Sequence, residues 1–67
     1  MMNDTDRLKL RIAELQLEHR GLDQLIQSLS VIHEVDELAL RRMKKRKLQL
    51  KDMIVRLQMQ LVPDVPA

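Results

Sequence analysis

The chain contains no cysteine, phenylalanine, tyrosine or tryptophan, and only one glycine and two prolines among its 67 residues. Without cysteine there is neither a disulfide framework nor a thiolate metal site to staple a small fold. Without aromatic rings, the large side chains that usually close a compact core are missing, and so are the faces on which unpaired bases stack. The scarcity of glycine and proline leaves little to interrupt a helix before Pro63. Uninterrupted apolar runs such as Leu38 to Leu40 are far short of the roughly 20 residues that cross a bilayer. The opening MMNDTDRLKL also lacks the apolar core of a signal peptide. Together these absences set the expectation of a cytoplasmic protein with no membrane span.

What is present is helix-forming and charged. Hydrophobic residues make up 45% of the chain and Asp, Glu, Lys and Arg 33%, with a formal net charge of +2. Leu, Lys, Arg, Glu and Gln are all good helix formers, and the length allows one small unit. The charge is unevenly spread. Eight basic residues lie between Asp36 and Val62 against three acidic ones, whereas four basic residues face six acidic ones between Asn3 and Glu34.

Apolar residues recur at alternating spacings of four and three. Leu8, Ile12, Leu15, Leu22, Ile26 and Leu29 form a heptad seam with His19 as its polar interruption. The seam continues in phase through His33, Asp36, Leu40, Met43, Lys47, Leu50, Ile54, Leu57 and Leu61. Asn3, Asp4 and Thr5 are suitable N-caps for a first helix, and Asp36 with Glu37 for a second. Between them Ser28, Ser30, Val31, Ile32 and Val35 lower helix propensity, although no glycine or proline forces a break. One continuous helix of about 57 residues would be ~85 Å long. The alternative is a hairpin turning over His33 to Asp36, in which seam positions pair so that their numbers sum to 69. Leu15 then lies opposite Ile54, His19 opposite Leu50, Leu22 opposite Lys47 and Leu29 opposite Leu40. The hairpin places the polar seam residues His33 and Asp36 in a turn, where polarity is at home, whereas a single helix strands them in mid-seam.

The expected fold is therefore all-α, an antiparallel two-helix hairpin of coiled-coil type. Helix 1 is expected over about 5–32, the turn over about 33–36 and helix 2 over about 36–62, with 63–67 an extended or disordered tail. Gly21 falls on the outward side of helix 1, where it should cost about 1 kcal/mol relative to alanine. Two helices cover a seam poorly. Leu25, Ile32, Ala39 and Met53 widen it on one flank, so the hairpin is expected to self-associate, most simply as a dimer forming a four-helix bundle.

Glu18-His19-Arg20, Leu22-Asp23, Ile26, Asp36 and the block from Arg42 to Ile54, reading KKxKLxLKDxI from Lys44, together resemble the YdcH-like family of small bacterial proteins of unknown function. The resemblance spans roughly Leu15 to Leu57. It implies an antiparallel helical hairpin in a bacterial cytoplasm and supplies no reaction, cofactor or substrate. The linker here lacks the glycine of some relatives, and Met53 stands where KDEI-type versions carry an acidic residue.

The polar residues divide into two groups. Lys47 sits in the seam one layer from His19, and Asp23 lies on the adjoining flank four residues after His19. One reading makes His19, Asp23, Lys44 and Lys47 a register-setting cluster in which Asp23 pairs with Lys44 or Lys47; the other has Lys47 snorkelling to solvent. A metal site is not expected, since His19 and His33 lie ~21 Å apart on a continuous helix and no third ligand has suitable spacing. The chain also lacks the parts of an enzyme: there is no thiol, no serine with a placed base and no glycine-rich phosphate loop. No cofactor is expected. The second group, Arg41, Arg42, Lys44, Lys45, Arg46 and Lys51, reads as a solvated, partly paired face, as phosphate contacts to nucleic acid, or as a contact to an acidic protein or membrane surface. The sequence thus favours a non-enzymatic, self-associating interaction module with room for a protein partner, and a nucleic-acid-associated protein is the alternative.

Overall fold

The computed structural model describes residues 2–32 and 34–61. Within them lie two α-helices, α1 (Asp4–Ser30) and α2 (Glu37–Leu61), packed against each other as a hairpin. The longest dimension is 50 Å, well short of the ~85 Å of the single helix. His33, Val62 and the tail 63–67 lie outside the described residues.

Each helix begins where its cap residue offers a side-chain acceptor. Asn3 Oδ1 accepts from the Asp6 N–H at 2.8 Å, and Asp4 and Asp6 place negative charge in the first turn, where the helix dipole favours it. Asp36 caps α2, its Oδ1 accepting from the N–H groups of Leu38 and Ala39 at 3.0 and 3.3 Å while its carbonyl takes the Leu40 N–H. The first helix stops at Ser30, slightly before the expected boundary near residue 32. The Ser30 hydroxyl donates back to the Ile26 carbonyl at 2.7 Å, and the Ile32 N–H closes a tighter three-residue turn onto Leu29. Neither step needs glycine: no φ is positive among the described residues.

Among the described residues, all the buried side chains are seam residues. Ile12, Leu15, Leu50 and Ile54 form one cluster, with Leu8, Leu22, Leu57 and Leu61 packed around it. Ile26 is buried separately, closer to the turn. The heptad therefore selects the interior, because a spacing of 3.5 residues keeps one stripe of each helix facing its partner. Gly21 lies outside that stripe. A Cβ added there meets nothing within 4 Å, so no packing within the chain requires glycine at this position.

Candidate functional site

The polar group around His19 is built where the seam loses its apolar character. Asp23 lies one position beside the seam on α1 and Lys47 lies within it on α2, so helix pairing brings them to the same flank. Their carboxylate and ammonium form an ion pair, and both side chains are about one-third exposed. The second Asp23 oxygen accepts from Gln27 Nε2 at 3.1 Å, one helical turn on. Lys44 is exposed and takes no part. His19 lines the same shallow groove as Gln16, Arg20, Asp23 and Ile54. Its Nε2 is enclosed and finds no hydrogen-bond partner among the described residues.

The hydrogen bond from Lys47 holds the Asp23 carboxyl below its ordinary value. Partial burial opposes this shift, and the charge of Lys47, with a smaller contribution from His19, reinforces it. A carboxylate whose folded pKa is depressed contributes stability that is fully present above the unfolded value and is lost as the pH falls through the folded one. The urea midpoint is therefore expected to fall on acidification below the ordinary carboxylate range, and Asp23→Asn is expected to flatten that acid limb. Urea titrations between about pH 6 and about pH 2 check this, identical acid limbs being the contrary result.

The opposite flank carries a second cross-link. Arg46 donates to Glu18 at 3.1 Å, both side chains being about half exposed. In the sequence Arg46 reads only as a member of the basic contact face. The signal that finds its partner is the antiparallel rule that residues just outside the seam meet like positions across the pair. The same rule aligns Leu25 with Ala39 and Arg11 with Met53. Met53 is drawn against the hairpin's own core, while Leu25, Ile32 and Ala39 stay exposed.

Of the eight basic residues of α2, Arg46, Lys47 and Arg56 take part in ion pairs, the last with Asp52 at 3.1 Å. Arg41, Arg42, Lys44, Lys45 and Lys51 are exposed, without an ion pair among the described residues. No helix among the described residues is long and apolar enough to cross a membrane, and no cluster of three metal-ligating side chains occurs among them.

These features define a small antiparallel helical hairpin, cross-linked on both flanks by ion pairs, whose second helix carries uncompensated positive charge. Within that class the chain belongs to the family described as a protein of unknown function (DUF465), which it matches over residues 12–58. No curated protein and no solved structure matches the chain.

Proposed function

We propose that the protein is a non-enzymatic helical interaction module that acts as a homo-oligomer, in the first instance a dimer closing into a four-helix bundle. One observation carries this reading: the turn-proximal flank beside the seam is apolar and open, Leu25 being 47% and Ile32 52% exposed with Ala39 alongside them. Two helices leave the third side of their own seam uncovered, and a second hairpin laid on this flank covers it with the same residues of the partner, as two-fold symmetry requires. On this reading the Asp23–Lys47 and Glu18–Arg46 pairs set the register of the hairpin, so that the flank is presented as one continuous surface. The YdcH-like pattern from Leu15 to Leu57 falls inside the matched residues 12–58 and supports placing the chain among the YdcH-like bacterial, cytoplasmic proteins.

Sedimentation equilibrium over a range of concentrations tests the proposal. The wild-type chain is expected to dimerise, and the Leu25→Glu, Ile32→Glu double variant to raise the dissociation constant at least about a hundredfold, because two uncompensated carboxylates would be desolvated in each half of the interface. A wild-type chain that stays monomeric to millimolar concentration overturns the reading.

A further inference from the structure

The outer face of α2 combines two properties that the hairpin itself does not use. Leu48 and Met59 are 68% and 69% exposed, and Val55 between them is also open to solvent. At 100° per residue these three side chains fall within about 40° of one another on the helix surface. Lys44 and Lys51 lie on one margin of that stripe and Lys45 on the other, each within about 60° of Leu48. Arg41 continues the stripe toward the turn. None of these four basic residues takes part in an ion pair among the described residues, while the acidic Asp52 beside the stripe is bonded to Arg56. The seam that packs on α1 is about 130° away around the helix, and the flank proposed for self-association about 150° away. The face is therefore open whether or not the hairpin dimerises.

We propose that this face docks on an anionic lipid surface, with α2 lying in the plane of the headgroups. Leu48, Val55 and Met59 enter between the headgroups, and the lysines on both margins extend their aliphatic stems along the apolar layer to set their ammonium groups among the lipid phosphates. The alternatives fit less of the face. A nucleic-acid duplex satisfies the lysines and leaves the three apolar side chains with nothing to contact. A partner helix needs an unbroken row, but the positions that would continue this row are Lys45 and Asp52, whose charges such a helix would have to bury. A fluid surface admits apolar side chains one at a time and requires no matching holes.

Vesicle co-sedimentation of the full chain tests the proposal. Vesicles containing phosphatidylglycerol are expected to retain the protein at low salt, with retention falling as salt rises, and pure phosphatidylcholine vesicles are not. Replacing Lys44, Lys45 and Lys51 together by glutamine is expected to weaken partitioning about a hundredfold, at about fivefold per charge. The Leu48→Ala, Met59→Ala pair keeps every charge and preserves helix propensity, so it is expected to stay folded by circular dichroism while weakening partitioning at least about tenfold. Three results overturn the proposal. The first is absence of retention on phosphatidylglycerol vesicles at low salt, and the second is unchanged partitioning of the alanine pair. The third is retention of duplex DNA at near-physiological salt that the alanine pair does not alter, which would assign the face to nucleic acid.

Discussion

Leu50→Ala is expected to destabilise the hairpin by about 3–4 kcal/mol, enough to bring folded and unfolded chains to comparable populations at room temperature. Leu50 is fully buried, at 0% exposure, in the cluster with Ile12, Leu15 and Ile54. Truncation removes the transfer free energy of the lost methyl and methylene groups, and a cavity term adds to it because two helices pinned by ion pairs on both flanks collapse only partly onto the gap. A single core in a chain of this size supplies of order 3–5 kcal/mol in total, so the expected loss consumes most of it. The control lies two residues away. Leu48 is largely exposed, and Leu48→Ala is expected to change stability by no more than about 0.5 kcal/mol. Urea unfolding followed at 222 nm compares the two; similar midpoints for the two variants would show that the seam does not carry the fold.

The second large effect runs the other way. His19→Leu is expected to stabilise the protein by about 1–2 kcal/mol, raising the melting temperature by roughly 5–15 °C. His19 occupies a seam position between Leu15 and Leu22, yet its Nε2 is enclosed with no partner among the described residues. An unsatisfied buried nitrogen costs free energy that an apolar replacement of similar size recovers, and leucine is also the better helix former. A melting temperature that falls would mean that the imidazole contributes more in the seam than its enclosed nitrogen costs. Polar seam residues also discriminate between registers and assemblies, so the mass of the His19→Leu variant should be measured beside its stability. A change in oligomeric state would show what the histidine is there to prevent.

Much of the fold was legible in the chain because its determinants are local and periodic. The step of four and three from Leu8 to Leu61 marks the interior, Asn3 and Asp36 mark where helices begin, and His33 and Asp36, two successive polar positions in the seam, mark where the chain turns. The end of α1 was harder to place. The Ile32 N–H bonds Leu29 in a tighter turn instead of continuing the ladder, beside a Ser30 hydroxyl bonded back to Ile26, and residue type alone does not announce at which position such a switch occurs. The ion pairs were legible only in part. Asp23 has Lys44 and Lys47 within a helical turn of each other as suitors, and Arg46 appears in the sequence as one more member of a basic run.

The sequence by itself determined that two amphipathic helices form, which stripe of each turns inward, and where the chain reverses, since cap chemistry and a 3.5-residue period act within a few residues of backbone. Only the tertiary structure decided that Asp23 takes Lys47 and leaves Lys44 to solvent, that Glu18 holds Arg46, and that Met53 is drawn inward while Leu25 and Ile32 stay open. Those choices depend on how far one helix is rotated and shifted against the other. A rotation of a few tens of degrees exchanges one flanking side chain for the next without altering the spacing along either helix.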